Sequence, residues 1–240
     1  MKPQDRIIVA LDFPSRAKAF DLVDDLDGLI SFYKVGLELI LASGLEDLLS
    51  GLTGRSVFVD LKLPDDIPAT IGSVVRYASQ KGVKFLTLSG AVGTATIQAA
   101  LEGRGALHAP ELLSVPFLSS QDPTDVQGHG HGGPDGSEFR ADLVRRAKRA
   151  KAAGVDGFIV SGSEIALLRS EFPSAPLISP GIRPSWSPAD DHKRSCTPSE
   201  AIRLGADYLV VGRPIRNAGN RAARRAAAQR VIDEVASLST

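Results

Sequence analysis

The chain has 240 residues, with 28 basic side chains against 28 acidic ones, a size that suits one α/β domain and a balance that excludes a general affinity for nucleic acid or for membrane surfaces. No apolar run approaches the roughly 20 residues of a membrane span, and Met1-Lys2-Pro3-Gln4-Asp5 leads straight into a strand without a signal-peptide core. A cytoplasmic protein with small-molecule partners is expected, and the single cysteine, Cys196, rules out an internal disulfide framework and fits a reducing compartment.

Short apolar runs rich in β-branched and aromatic residues recur at 7–11, 32–35, 57–61, 85–88, 112–117, 157–160, 177–179 and 208–211. Segments of helical period separate them, and this alternation requires a parallel sheet. Ser15 can cap a helix carrying Ala19, Phe20, Val23 and Leu26, and Thr197-Pro198-Ser199-Glu200 reads as a capping box with proline in its first turn. The segments starting at Gly154 and Gly205 each stop a helix and launch the next strand. Eight such units predict a single-domain (β/α)8 TIM barrel over residues 1–240, whose working groups sit at the C-terminal ends of the strands. A doubly wound open sheet is the competing fold, but no G-x-G-x-x-G follows the first strand.

Residues 122–137 break the alternation, holding Gly128-His129-Gly130-His131-Gly132-Gly133-Pro134 with no apolar period. A glycine-rich stretch gives His129 and His131 no rigid geometry for a metal, so a loop over the barrel mouth is expected and no metal site.

Charged and polar residues collect at the predicted strand ends: Asp12, Lys34, Asp60 with Lys62, then Ser119, Ser120 and Asp122, then Arg183, and last Gly212-Arg213. Residues two apart on a strand share a face, so Asp60 and Lys62 are expected to point the same way. An anion and a cation side by side at the inner end of a strand cost desolvation that an ordinary core avoids, although a satisfied structural ion pair has the same pattern. Barrel closure brings strands 1, 2, 3 and 8 together, so these charges converge. A Gly-Arg pair after strand 8 suits a phosphate, because glycine lets backbone N–H groups approach while the guanidinium forks onto the oxygens. A phosphorylated metabolite is the expected ligand class.

Taken in order, Val9-Ala10-Leu11-Asp12, Tyr33-Lys34-Val35-Gly36, Asp60-Leu61-Lys62, Asp66-Ile67-Pro68-Ala69-Thr70, Leu118-Ser119-Ser120-Gln121-Asp122, Pro180-Gly181-Ile182-Arg183-Pro184 and Val211-Gly212-Arg213-Pro214-Ile215 resemble the bacterial type of orotidine 5′-phosphate decarboxylase over nearly the whole chain. The resemblance implies conversion of orotidine monophosphate to UMP in pyrimidine synthesis, by a homodimer with shared active sites and no cofactor. Lys34, Asp60, Lys62 and an aspartate from the second subunit would form the charge network, with Lys62 as proton donor. Asp12 would hold the ribose, Ile67 and Thr70 would act across the interface, and Ser119 or Ser120 would meet the pyrimidine. Arg183, Gly212 and Arg213 would surround the phosphate.

Four positions depart from the family pattern. One extra residue between Lys62 and Ile67 leaves both Asp65 and Asp66 as candidates for the shared aspartate. Ser89 stands where a histidine is usual, Pro116 where a threonine is usual, and His192 where a phosphate-loop glutamine is expected. An imidazole can still donate a hydrogen bond to a phosphate. Two competing functions follow from the same residues. One is a Mg2+-dependent sugar-phosphate decarboxylase or aldolase built on Asp60 and Lys62, which a chelator would inactivate; the other is a non-catalytic barrel that binds phosphorylated ligands.

Overall fold

The computed structural model describes residues 1–121, 137–162, 164–187 and 194–238. Eight parallel strands close into a barrel in chain order: β1 (Ile7–Ala10), β2 (Phe32–Gly36), β3 (Ser56–Leu63), β4 (Phe85–Ser89), β5 (Glu111–Val115), β6 (Gly157–Ile159), β7 (Leu177–Ser179) and β8 (Tyr208–Val211). Around it lie α1 (Arg16–Asp25), α2 (Leu37–Ser43), α3 (Leu45–Gly51), α4 (Pro68–Gln80), α5 (Thr94–Arg104), α6 (Ser137–Ala152), α7 (Glu164–Glu171), α8 (Pro198–Arg203), α9 (Arg213–Arg216) and α10 (Arg221–Ala236). This is the expected TIM barrel. Both expected caps are present: Ser15 accepts from the Lys18 N–H at 3.4 Å, and Thr197 and Glu200 form the reciprocal box ahead of α8.

The strands are apolar on both faces because each face is covered. On β1, Ile7 and Val9 face the helices, while Ile8 and Ala10 point into the barrel. The interior is a packed column in which the Phe85 ring sits against those of Phe32, Phe58 and Tyr208 at centroid distances of 5.5, 6.0 and 5.2 Å. Near the N-terminal end of the barrel the half-buried Lys84 places its ammonium 5.0 Å from the Phe32 and Tyr208 ring centroids, a cation–π environment.

Two strand expectations are corrected. The fifth strand stops at Val115, two residues short of the expected end, because Pro116 has no N–H to continue the ladder. The third is not regular to its end. Val59 pairs with Leu86 but Leu63 pairs with Leu88, so β3 carries a bulge, within which Lys62 takes φ +48°. A side chain at positive φ is costly unless its surroundings hold it, and here the Lys62 N–H donates to the buried Thr87 hydroxyl at 2.8 Å. Asp60 and Lys62 do meet, but through this bulge and not through simple alternation.

Phe85 is fully buried in the barrel column. Phe85→Ala is expected to lower the unfolding free energy by about 3–5 kcal/mol, as for other large-to-small core changes, measured by denaturant titration; a loss below about 1 kcal/mol would mean that the column repacks.

Candidate active site

A cavity of about 600 Å3 opens at the C-terminal ends of the strands, within the range of small-molecule sites. Its apolar wall comes from residues that point inward from the sheet, among them Ala10, Phe58, Val115, Ile159 and Val210. Along one side runs a row of alternating charges. Lys34 Nζ lies 2.8 Å from Asp12 Oδ1 and 3.4 Å from Asp60 Oδ2, and Lys62 Nζ lies 2.9 Å from Asp60 Oδ1.

Strand pairing explains the row. Asp12 follows β1, Lys34 lies on β2 and Asp60 on β3, and these strands are hydrogen-bonded neighbours in the barrel. Gly36 leaves room beside them, because a Cβ there would stand 3.2 Å from both Asp12 Oδ1 and Lys34 Nζ and would press on that pair. Burial pushes the Asp60 carboxyl up, but Lys34, Lys62 and the Thr87 hydroxyl together outweigh it and hold the group below the usual carboxylate range. Burial likewise pulls Lys34 down, and the two aspartates reverse this, so its ammonium is held above the usual lysine value. Both groups are therefore charged at neutral pH in a site that excludes much of the solvent.

Thr87 was not anticipated from the sequence. Its fully buried hydroxyl donates to Asp60 Oδ1 at 3.0 Å while accepting the Lys62 N–H. The signal was present, since Thr87 lies two residues from Phe85 and so shares its inward face of β4. Arg216 was also missed; it lines the cavity, donates to the Asp12 carbonyl and lies over the Phe13 ring.

The cavity brings together Asp12, Lys34, Asp60 and Lys62 with Ser119, Ser120, Arg183, Gly212 and Arg213; Gly212 and Arg213 follow β8, which pairs with β1 beside Asp12. With Arg183, Arg213 and Arg216 added to the two lysines, cations outnumber anions on the wall, as an anionic ligand requires. Asp65, Asp66, Ile67 and Thr70 do not line it. All four are exposed on the segment leading into α4. Asp65 is tied to its own chain: its carboxylate accepts from the Gly93 N–H at 3.2 Å and from the Thr96 hydroxyl at the start of α5, and these bonds hold its pKa below the usual value. Asp66 accepts only from the adjoining Ile67 N–H, at 2.6 Å, among the hydrogen bonds of the described residues. His192, Asp122, His129 and His131 lie outside the described residues.

Fold and site define a (β/α)8 barrel whose cavity carries a row of alternating charges and an excess of cations. The sequence profile of the orotidine 5′-phosphate decarboxylase / HUMPS family matches residues 5–228. The chain is 43% identical over 235 residues to an orotidine 5′-phosphate decarboxylase of Methylococcus capsulatus, covering 94% of this chain and 91% of the relative. It is 42% identical to the enzyme of the same name from Afipia carboxidovorans, with 98% and 96% covered. The crystal structure of orotidine 5′-phosphate decarboxylase from Lactobacillus acidophilus superposes with a TM-score of 0.78 at 30% identity, covering 96% of this chain and 99% of that one. The chain belongs to the orotidine 5′-phosphate decarboxylase / HUMPS family and is an enzyme of its carboxy-lyase type. Among the described residues, no helix is long and apolar enough to cross a membrane.

The charge row gives stability a defined pH dependence. The folded pKa of Asp60 is below its ordinary 3.8, so its contribution is complete above that value and is lost as pH falls through the folded one. Lys34 is held above 10.5, so its contribution is complete below that value and is lost as pH rises through the folded one. Relative to Asp60→Asn, the unaltered chain is expected to keep a constant stability difference around neutrality and to lose stability on acidification below the ordinary carboxylate range. Denaturant titrations across pH test this; a difference that varies around neutrality would mean that Asp60 is not held as a carboxylate.

Proposed function

We propose that this chain decarboxylates orotidine 5′-monophosphate to UMP in pyrimidine biosynthesis, without a cofactor. The observation that carries the reading is a carboxylate, Asp60, held between two ammonium groups at the wall of a cavity that Arg183 and Arg213 also line. A substrate with a phosphate at one end and a carboxylate on a flat ring at the other matches both features.

In this reading the arginines bind the phosphate, Asp12 holds the ribose, and the ring lies against the apolar wall with its C6 carboxylate near Asp60 and Lys62. The C6–carboxylate bond breaks, CO2 departs, and the electron pair stays on C6. Lys62 stabilises that developing charge and delivers a proton to C6, giving UMP, and then regains a proton from solvent. Repulsion from Asp60 acts on the substrate carboxylate and fades as CO2 leaves, so it disfavours the bound substrate more than the transition state. Remote phosphate contacts hold the ring in place while this happens.

A homodimer with shared sites completes the reading. Leu37, Leu41 and Ile67 are 57%, 78% and 66% exposed, on segments that follow the neighbouring strands β2 and β3, an apolar surface that a second copy would cover. Because Asp65 is engaged by the start of α5, Asp66 is the better candidate for the aspartate given to the partner's site, and Asp65 ties its own segment to Gly93 and Thr96.

The direct test is the absorbance change when orotidine monophosphate is added to metal-free protein, and Lys62→Ala should abolish it with the fold intact. Mixing Lys62→Ala with Asp66→Ala chains should restore part of the activity, whereas Asp65→Ala alone should lower the thermal midpoint and keep most turnover. No recovery despite demonstrated subunit exchange would count against the shared site. Arg213→Ala should weaken UMP binding by about 2–4 kcal/mol, the scale of a desolvated charge-assisted contact, and leave uridine binding nearly unchanged; equal losses would remove Arg213 from the phosphate.

A further inference from the structure

Ser119 and Ser120 reach the cavity from a turn that closes on itself. The Gln121 N–H donates to the Leu118 carbonyl at 3.0 Å, and the Leu118 N–H donates to Gln121 Oε1 at 2.9 Å. Leu118 and Ser120 are exposed, and a short surface turn is by itself a soft support for two hydroxyl groups. A residue far along the chain adds to its bonds. Arg194 Nη2 donates to the Leu118 carbonyl at 2.6 Å and Nε to the Gln121 carbonyl at 2.8 Å, so one guanidinium grips both ends of the turn.

The same guanidinium is anchored from behind. Nη1 meets Glu164 Oε2 at the start of α7 at 2.8 Å, with the two side chains only 10% and 9% exposed, and the group lies 5.1 Å from the centroid of the Phe139 ring on α6. A buried Arg–Glu pair is poor value for stability alone, since apolar residues of like volume commonly do as well. Its planar fork, however, reaches two carbonyls and a carboxylate at once, which a lysine does not do.

Arg194 also stands two residues before Cys196, which forms a parallel bridge with Ile182 and whose carbonyl accepts the Arg183 N–H at 2.9 Å. The segment that grips the serine turn is thus the segment that fixes the backbone of Arg183 on the cavity wall. We propose that Arg194 is a positioning residue that locks the turn carrying Ser119 and Ser120 to the bridge carrying Arg183, so that one frame sets the distance between the two ends of the ligand. This rests on the reading above, in which the serines face the base and Arg183 the phosphate. Arg194 touches no substrate; it acts through the turn.

The test compares two probes, UMP and ribose 5-phosphate, which share the phosphate and differ in the base. In Arg194→Met the affinity for UMP is expected to fall by about tenfold, the scale of losing charged hydrogen bonds, while ribose 5-phosphate binding stays within about twofold. Arg194→Lys, which keeps the charge beside Glu164 and loses the fork, should fall between the two, and supplies the same ratio should the methionine variant fail to fold. Equal losses for both probes would make Arg194 a general structural residue, and unchanged binding of both would show that the turn needs no support; either result overturns the proposal. Should the unaltered chain prefer UMP over ribose 5-phosphate yet fail to turn over orotidine monophosphate, the functional reading alone falls. Absence of that preference in the unaltered chain overturns the positioning role.

Discussion

The site is organised by one electrostatic constraint, a carboxylate only 14% exposed and held between two ammonium groups. Asp60 cannot be buried alone, because the desolvation of an unpaired charge is larger than any local packing gain. Lys34 and Lys62 satisfy it, and each then makes its own demand. Lys34, buried on β2, takes Asp12 as a second partner, and Gly36 leaves the space for that pair. Lys62 reaches Asp60 from a bulged strand at positive φ, and Thr87 binds both the strained backbone and the carboxylate. Neighbouring strands thus hold Asp12, Lys34, Asp60, Lys62 and Thr87 in one geometry, in which the buried Lys34 and the mostly covered Asp60 each meet opposite charges.

The barrel makes this arrangement rigid. Its interior is filled below the site by interlocking aromatic rings, and the sheet is covered outside by a continuous apolar layer against the helices. Packing at crystal-like density transmits little slack, so side chains at the strand ends stay where the strand register puts them. The low polarity of the wall also strengthens each charge interaction beside it. The same residues that make the domain stable make its charges effective.

Charged residues of one type serve different purposes according to what surrounds them. Asp60 and Asp65 are five residues apart, yet one is held between cations at the cavity and the other sits on the surface bound to the start of α5. Arg213 and Arg194 divide in the same way. The first faces the cavity from the end of β8, while the second spends its donors on two backbone carbonyls and a glutamate.

The barrel and most of its site were legible in the linear chain because both rest on local rules. Period-2 and helical runs, caps and glycine stops mark the eight units, and in a closed parallel barrel the residue that ends a strand faces the mouth whatever the rest of the sequence is. That is how Lys34, Asp60, Arg183 and Arg213 could be assigned to one cavity from their positions. The bulge in β3 was not legible, since it depends on the register between β3 and β4, and the role of Thr87 followed from that register. Nor could adjacency separate Asp65 from Asp66, because the difference lies in where the start of α5 comes to rest. Arg194 carries no signal of its own in the sequence; only the folded chain brings it to carbonyls more than 70 residues away. Periodicity and chain order act through neighbours in sequence, whereas the pairing of buried charges and unsatisfied carbonyls is decided between segments that meet only when the barrel has closed.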